Sequence, residues 1–267
     1  MSEADLISAT KWPVTVERLA GEFGLLGLKA GDLVMVHTSL RSLGWVNGGA
    51  AAVIQALLRV VGPAGTIVMP TQTAGITDPA NWQAPPIPPE WIETVRATMP
   101  VFDPLISPTR QMGRVAELFR TWPGAVRSNH PASSLAALGP LASEITHRHD
   151  LDDPLGGRSP LGAMYRLGAR VLLIGVDFSR CTAVHLAEEF AFPGRPTMRE
   201  GAPMLVEGER RWVTFDVPML KDSDEFLPVG VEAAKIGLVR SGQLGEGRGT
   251  IGDMRGLVDL AVRMWTA

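Results

Sequence analysis

The stretch that most limits the fold of this chain runs from residue 32 to residue 69. It begins with a short apolar segment, Asp32–His37 (DLVMVH), and ends with a second one, Thr66–Met69 (TIVM). Between them, Asn47-Gly48-Gly49 leads into residues 50–61, whose apolar side chains recur at helical spacing. Strand, helix and strand in this order form a βαβ unit, in which the two strands are parallel and adjacent and the helix covers one face. The sequence therefore predicts an α/β fold.

The rest of the chain adds helices and one more buried strand. Arg170–Val176 (RVLLIGV) is the clearest strand, and helical spacing recurs in four other segments, 15–26, 110–122, 182–190 and 256–265. No internal repeat or interdomain linker is visible. We predict that residues 1–267 form a single compact α/β domain, with a largely parallel or mixed central sheet and helices on both faces.

Two segments depart from this alternation. Residues 70–108 contain nine prolines among 39 residues and little periodicity, which predicts a long proline-rich loop insertion. Its embedded Trp82 and Trp91 indicate packing against another part of the molecule, as in a lid. Residues 203–215 predict a β-hairpin that turns at Glu207-Gly208.

Composition excludes several classes of protein. The 25 basic and 28 acidic side chains give a net charge of -3 without a basic stripe, so nucleic acid is not an expected partner. The longest apolar run, Val171–Val176, is too short to span a membrane, and the acidic opening MSEADLISATKW does not resemble a signal peptide. A single cysteine, Cys181, excludes an internal disulfide framework and a multi-cysteine zinc site. We expect a cytoplasmic protein without a metal.

Two apparent motifs lack the context that they need. Residues 247–252 (GRGTIG) match the dinucleotide fingerprint, but no apolar strand precedes them, which favours a loop before the last helix. Residues 147–153 (HRHDLDD) have metal-ligand types without a metal spacing, which favours a solvated loop. Neither the G-x-S-x-G elbow nor the P-loop motif is present.

Polar side chains follow two of the predicted strands, the first one (32–37) and the clearest one (170–176). Residues 37–42 (HTSLRS) lie where open α/β sheets bind anions, and they fit either a pyrophosphate site or an ordinary capped turn. After the strand at 170–176, helical spacing lets His185 meet Thr182 on one side and Glu188 or Glu189 on the other. A histidine held by a carboxylate is a general-base pair, although such pairs also occur on ordinary helix surfaces.

Two further clusters have plain structural alternatives. Residues 127–131 (RSNHP) bring an arginine and a histidine near Ser133 and Ser134, as in a capped turn. Residues 207–225 hold six acids and three bases, which suits either a cationic ligand or a solvated hairpin face.

Together these motifs resemble the aminoglycoside 3-N-acetyltransferase family, antibiotic N-acetyltransferases whose fold is unrelated to that of the GNAT enzymes. The match covers most of the chain. The residues that carry it are VHTSLRSLG (36–44), GPAGTIVMPT (62–71), FDPLISPTRQMG (102–113), RSNHP (127–131), SPLG (159–162), VLLIGV (171–176) and TAVHLAEE (182–189).

The resemblance implies transfer of an acetyl group from acetyl coenzyme A to the 3-amino group of a 2-deoxystreptamine ring, and therefore antibiotic resistance. It implies His185 as the general base, with Glu188 as its orienting acid and Thr182 beside it. The predicted coenzyme A site comprises His37, Thr38, Ser39, Leu40, Arg41, Ser42, Thr71, Phe102, Ser107, Arg110, Gly113 and His130. The acids predicted to attract the polycationic acceptor are Asp177, Glu189, Asp216, Asp222, Asp224 and Glu225, the last four on or just after the 203–225 hairpin segment.

The chemistry of acyl transfer needs the same groups. A base must take the proton of the attacking amine, and the Thr38-Ser39 loop or Thr182 would stabilise the oxyanion. Direct transfer requires no acylated residue. Two alternatives stay open: an acyltransferase of this fold that acts on a different amine, and a catalytically silent sensor of coenzyme A. Either a monomer or a homodimer is expected.

Overall fold

A computed structural model describes residues 2–267 of the chain. Its main feature is a seven-stranded mixed sheet with the order β3-β4-β2-β1-β5-β9-β8, and a separate two-stranded sheet pairs β6 with β7. The strands are β1 (Leu33–Thr38), β2 (Thr66–Pro70), β3 (Val126–Arg127), β4 (Leu135–Leu138), β5 (Arg170–Ile174), β6 (Thr197–Val206), β7 (Glu209–Pro218), β8 (Val239–Leu244) and β9 (Gly247–Asp253).

Ten α-helices accompany these strands in the described part of the chain. They are α1 (Glu3–Ala9), α2 (Val16–Leu26), α3 (Gly49–Val61), α4 (Ile92–Thr98), α5 (Gly113–Phe119), α6 (Ala142–Thr146), α7 (Pro160–Leu167), α8 (His185–Ala191), α9 (Leu227–Lys235) and α10 (Met254–Thr266). None of the helices within residues 2–267 combines the length and the apolar character that a membrane crossing requires.

The predicted βαβ unit is confirmed. Strand β1 pairs in parallel with β2 on one side and with β5 on the other, while the remaining pairings of the sheet are antiparallel. Alternate side chains of β1 enter two apolar layers, Met35 on one face and Val34 and Val36 on the other. The sheet thus separates two cores, which confirms the predicted single α/β domain with helices on both faces.

The 247–252 motif is a strand, so the prediction of a loop there was wrong. Strand β9 pairs with both β5 and β8 inside the main sheet. Its glycines allow close approach, since a Cβ on Gly249 would lie 2.2 Å from Leu244 Cδ1 and one on Gly247 would lie 2.4 Å from the carbonyl oxygen of Ser42. Because glycines stand where a strand usually carries apolar side chains, the sequence shows no alternation of apolar and polar residues from which a strand could be predicted.

The proline-rich segment is more ordered than a plain loop. Helix α4 lies within it, and the segment is bound to the β6–β7 hairpin: the backbone N–H of Asp78 donates to Glu200 Oε1 (2.6 Å), and Arg210 Nε donates to the carbonyl oxygen of Met99 (3.1 Å). The hairpin turns where predicted, but its strands extend beyond 203–215. The insertion and the hairpin therefore form one subassembly beside the sheet.

The 147–153 segment also differs from the predicted solvated loop. His149 Nδ1 lies 2.8 Å from Ser128 Oγ, and its Nε2 lies 2.8 Å from the carbonyl oxygen of Pro154. Asp153 is buried and accepts a hydrogen bond from the backbone N–H of Arg158 (2.7 Å). The side chains of His149 and Asp153 thus make internal hydrogen bonds, which composition alone does not reveal.

Candidate active site

A cleft of about 1090 Å³ opens at the carboxyl end of β1. Its walls come from both sides of the sheet, because Val46 and Ala116 belong to one apolar layer and Phe226 packs in the other. The predicted site residues that line it are His37, Thr38, Ser39, Leu40, Arg41, Gly113, Thr182 and His185. The cleft therefore joins the loop after β1 to the helix after β5, as expected for ligand sites in open α/β sheets.

His185 is the first residue of α8 and is fixed by a carboxylate. Its Nδ1 lies 2.7 Å from Oε1 of Glu188, whose side chain is only 1% exposed. A carboxylate only accepts hydrogen bonds, so the contact assigns the proton to Nδ1 and leaves Nε2 as the free ring nitrogen. Of the two acids that the sequence left open, Glu188 is the partner, while Glu189 accepts a hydrogen bond from the backbone N–H of Gly157 (2.5 Å).

Three groups from outside the predicted motif complete this pair. Oε2 of Glu188 accepts from Arg195 Nη1 (2.7 Å) and from the backbone N–H of Lys221 (3.0 Å). The Phe226 ring lies edge-on to the imidazole, with 4.7 Å between centroids. Sequence reasoning missed these residues because Arg195 lies in the turn after α8, and Lys221 and Phe226 come back to the pair only after β7, so helical spacing encodes none of them.

The loop after β1 forms a tight 3-10 turn. The backbone N–H of Ser39 donates to the carbonyl oxygen of Ile174 (2.8 Å), which ties the loop to β5. Ser42 Oγ donates to the carbonyl oxygen of Ser39 (2.7 Å), so its hydroxyl stabilises the turn and does not line the cleft. Thr38, Ser39 and Arg41 do line it. The turn is therefore present, and the pyrophosphate site stays a prediction for the residues that line the cleft.

The cleft wall is positively charged. Arg41, Arg114 and Arg180 line it and make no ion pair within residues 2–267, whereas Glu3 is the only carboxylate on the wall among these residues. Such a wall favours an anionic ligand. Sequence reasoning missed Arg114 and Arg180 because a solitary arginine has no diagnostic spacing. The predicted Arg110 lies outside the wall, and its Nη2 donates to the carbonyl oxygen of Ala84 (3.3 Å).

Thr71, Phe102 and Ser107, all predicted to hold coenzyme A, instead surround the buried Arg127. The guanidinium donates to the carbonyl oxygens of Thr71 (2.5 Å) and Ser107 (2.6 Å) and to Ser134 Oγ (3.0 Å), and it lies 5.0 Å from the centroid of the Phe102 ring. Burial lowers the pKa of Arg127 to about 10. None of the three predicted residues lines the cleft, because this arginine ties the FDPLISP segment to the end of β2.

Replacing Arg127 with methionine is expected to lower the free energy of unfolding by about 3 kcal/mol, because it leaves several buried acceptors without a donor. Urea denaturation measures the change. Arg59→Met, which removes an exposed ion pair with Glu17, is the control and should cost under about 1 kcal/mol. Equal, small losses in the two variants would contradict the structural role of Arg127.

His130 is buried and does not line the cleft. Its Nδ1 accepts from the backbone N–H groups of Ala132 (3.1 Å) and Ser133 (3.0 Å), and its ring centroid lies 4.5 Å from that of His149. Burial, with a smaller contribution from His149, lowers the pKa of His130 to about 3. Burial also lowers the pKa of His149 to about 4 and that of His37, in β1, to about 3.

From the lowered pKa values of these three histidines we predict a loss of stability in acid. Above the ordinary pKa of 6.5 they are neutral in both the folded and the unfolded chain. As the pH falls below that value, these histidines become protonated in the unfolded chain, whereas in the folded chain they stay neutral until the pH reaches about 4 or 3. The free energy of unfolding should therefore fall by up to about 1.4 kcal/mol per pH unit for each histidine. Urea denaturation at about pH 7.5, 6.5 and 5.5 measures the slope, which His130→Asn should reduce; a flat profile would contradict the neutral state.

The predicted acceptor acids fall into two groups. Asp177 caps the 3-10 turn before Cys181, and Asp222 caps the turn whose Ser223 and Phe226 line the cleft. These two turns pack against each other, which places Asp177, Asp222 and the exposed Asp224 near the rim. The other acids have partners elsewhere: Glu189 with Gly157, Asp216 with Arg199 and Glu225 with Lys221. No group of three or more metal-ligand side chains within residues 2–267 is arranged around a common point.

Known proteins are similar to most of this chain. A family model for aminoglycoside 3-N-acetyltransferase matches residues 35–266. The chain is 45% identical over 211 residues to the SPbeta prophage-derived aminoglycoside N(3')-acetyltransferase-like protein YokD of Bacillus subtilis (strain 168), covering 79% of this chain and 77% of that protein. It is 38% identical over 276 residues to aminoglycoside N(3)-acetyltransferase VII of Streptomyces paromomycinus, covering 98% and 95%.

Solved structures share the fold over almost the whole chain. The crystal structure of YokD from Bacillus subtilis has a TM-score of 0.94 at 39% identity and covers 98% of this chain and 97% of that one. AAC-IIIb in a binary complex with CoASH has a TM-score of 0.83 at 31% identity, covering 95% and 96%. AAC-VIa bound to sisomicin has a TM-score of 0.84 at 27% identity, covering 95% and 97%. The chain therefore belongs to the aminoglycoside 3-N-acetyltransferase family.

Proposed function

We propose that this protein transfers the acetyl group of acetyl coenzyme A to the 3-amino group of the 2-deoxystreptamine ring of aminoglycosides, and so confers resistance to them. The observation that carries the proposal is the His185–Glu188 pair at the wall of a cleft that also holds three arginines without an ion-pair partner among residues 2–267. A base and an anion-binding wall in one cleft are what an amine acyltransferase with a phosphorylated donor needs.

The charge of the cleft wall suits coenzyme A. Arg41 and Arg114 can bind its phosphates, and the Thr38-Ser39 loop offers backbone and hydroxyl groups to the pantetheine arm. When bound, acetyl coenzyme A supplies a thioester carbonyl that an amine can attack. The complex of AAC-IIIb with CoASH supports this use of the cleft.

His185 acts as the general base. Its Nε2 accepts the proton of the attacking amine as the new carbon–nitrogen bond forms and the carbon–sulfur bond breaks, and Glu188 stabilises the imidazolium through Nδ1. Thr182 and the Thr38-Ser39 loop, which face the same cleft, are the donors available to the oxyanion. Burial raises the pKa of Cys181 to about 12, so this thiol stays protonated and direct transfer is favoured over an acylated cysteine.

The acceptor binds at the acidic rim of the cleft. Asp177, Asp222 and Asp224 lie there, and their carboxylates attract the ammonium groups of an aminoglycoside. The proline-rich segment and the hairpin are joined by hydrogen bonds, and in this proposal the pair borders the acceptor as a lid. AAC-VIa bound to sisomicin supports an aminoglycoside acceptor.

Release of the coenzyme A thiol from acetyl coenzyme A, with a panel of amines, tests the proposal. We expect turnover with aminoglycosides that carry a 3-amino-2-deoxystreptamine ring and none with streptomycin, whose central ring carries guanidino groups in place of amines. Turnover only with other amines would identify an acyltransferase of a different pathway. Tight coenzyme A binding without turnover on any amine would identify a silent sensor, and either result would overturn the proposal.

A further inference from the structure

A rigid turn after α8 carries Arg195. The turn comprises residues 192–196 (FPGRP), in which the backbone N–H of Arg195 donates to the carbonyl oxygen of Phe192 (3.2 Å). The carbonyl oxygen of Pro196 accepts from the backbone N–H of Met219 (2.9 Å), which ties the turn to the open end of the β6–β7 hairpin. Each of the two prolines also fixes one backbone dihedral angle. The turn therefore holds the backbone of Arg195 in one place.

The Arg195 side chain lies behind the carboxylate of Glu188. Its Nη1 donates to Oε2 of Glu188 (2.7 Å), while Oε1 of the same carboxylate is 2.7 Å from His185 Nδ1. The side chains of Arg195 and Glu188 are only 12% and 1% exposed. His185 lines the cleft, whereas neither Arg195 nor Glu188 does. The guanidinium is therefore placed to act on the imidazole through the carboxylate.

A buried carboxylate next to an imidazole has two opposing effects. It orients the ring, but it also favours the imidazolium over the neutral ring. An imidazolium has a proton on each nitrogen, so it cannot accept another one from an amine. A histidine that serves as a base at neutral pH therefore needs a carboxylate whose negative charge is partly offset. A cation on the far carboxylate oxygen does this, and burial keeps the interaction strong.

The other charged groups around α8 do not take this role. Several come from the turns before α8 and after β7 and from α10, which packs against α8. They have partners of their own: Lys221 with Glu225, Asp259 with Tyr165, and Asp177 and Asp222 with backbone N–H groups of their own turns. Arg180 lies on the cleft wall. Within residues 2–267, Arg195 is the only arginine or lysine side chain that forms an ion pair with Glu188.

We propose that Arg195 is a positioning residue that keeps His185 unprotonated at neutral pH by offsetting the charge of Glu188. This inference rests on the proposed function, in which His185 is the base. Arg195→Gln tests the charge alone, because an amide can still donate a hydrogen bond to Oε2. We expect the acid limb of the kcat profile to move up by about 1 pH unit or more.

The profile is measured by thiol release with saturating substrates between about pH 6 and 9, where kcat reports groups in the bound complex. The same amine serves for every variant, so differences between profiles come from the protein. On the acid limb, Arg195→Gln should lose about 10-fold in kcat, and at high pH it should approach the wild type. Arg195→Lys, which keeps a positive charge, should restore most of the loss. A purely structural role would instead lower kcat equally at every pH.

An NMR titration of the histidine rings measures the protonation of His185 without turnover. The chain has five histidines, and burial keeps three of them neutral in the folded protein above about pH 4, which leaves His147 and His185 to follow. The signal absent from His185→Ala identifies His185. The pH at which half of His185 is protonated should rise in Arg195→Gln.

The matched control is Arg170→Gln. This variant removes a half-buried ion pair with Asp32 at the start of β5, and neither residue lines the cleft. Its kcat profile and its His185 titration should both match those of the wild type. A shift in this control as large as that in Arg195→Gln would overturn the inference, because any lost ion pair would then have the same effect.

A double variant covers the case in which Arg195→Gln does not fold. Glu188→Gln combined with Arg195→Gln leaves neither of the two charges buried without a partner. Its His185 should be half protonated at a higher pH than in Glu188→Gln alone. Equal titrations in these two variants, or in Arg195→Gln and the wild type, would overturn the inference and leave the proposed function standing. Wild-type protein without turnover on any amine would overturn the proposed function, whatever the titrations show.

Discussion

Replacing His185 with alanine is expected to lower kcat about 100- to 10,000-fold, because the imidazole Nε2 is the group at the cleft wall that can accept the proton of the attacking amine. The Nδ1 contact with Glu188, at 2.7 Å, fixes which nitrogen is free. Thiol release in the presence of a saturating aminoglycoside measures the loss. Calorimetry with coenzyme A should show that the donor still binds, since the arginines of the cleft remain.

A second substitution keeps this prediction specific to catalysis. His147→Ala removes an exposed histidine that does not line the cleft and leaves the His185–Glu188 pair intact, so its kcat should match that of the wild type. His185→Ala with an unchanged kcat would show that the base lies elsewhere, even if the overall reaction is as proposed.

Replacing Glu188 with alanine is expected to damage both stability and turnover. The carboxylate is 1% exposed and accepts from His185, Arg195 and the backbone of Lys221. Its removal leaves the Arg195 guanidinium, itself 12% exposed, without a counter-charge. The free energy of unfolding should fall by about 3 kcal/mol, and kcat should fall by about 100-fold because the imidazole is no longer oriented.

Two variants separate these effects. Glu188→Gln preserves the shape and can still accept from Arg195, so it should recover part of the stability while kcat remains low. Glu232→Gln on α9 removes an exposed pair with Lys235 and should change stability by under about 1 kcal/mol. Full activity in Glu188→Gln would contradict the requirement for a negative charge behind the imidazole.

The parts of the fold that the sequence predicts correctly are those specified by short, local patterns. The β1–α3–β2 unit has two apolar strands, a helical repeat and glycine turns within residues 32–69, so that each element is recognisable by itself. Strand β9 escaped prediction because its glycines meet neighbours from β8 and from the turn after β1, contacts that only the folded sheet creates. Helix α4 was not predicted because it is short and prolines on both sides of it hide the helical spacing of its residues.

The same distinction applies to the site. His185 and Glu188 are three residues apart on one helix, so spacing narrows the partner of His185 to Glu188 or Glu189, and the structure shows that it is Glu188. Arg195 reaches the pair from the turn between α8 and β6, and Phe226 from the turn that follows the hairpin, and no helical spacing encodes either contact. Motif membership cannot show what a residue contacts: Thr71 in GPAGTIVMPT and Ser107 in FDPLISP both accept hydrogen bonds from Arg127, and their predicted role in the donor site stays a prediction.

The position of the acetyl group on the product tests the central claim most directly. We would incubate the protein with acetyl coenzyme A labelled with carbon-13 in the acetyl group and a 2-deoxystreptamine aminoglycoside, and locate the label by NMR. The account predicts a single acetamide on the 3-nitrogen of the 2-deoxystreptamine ring, absent when His185→Ala replaces the wild type. An acetyl group on a different nitrogen, or no labelled product from protein that binds both ligands, would contradict it.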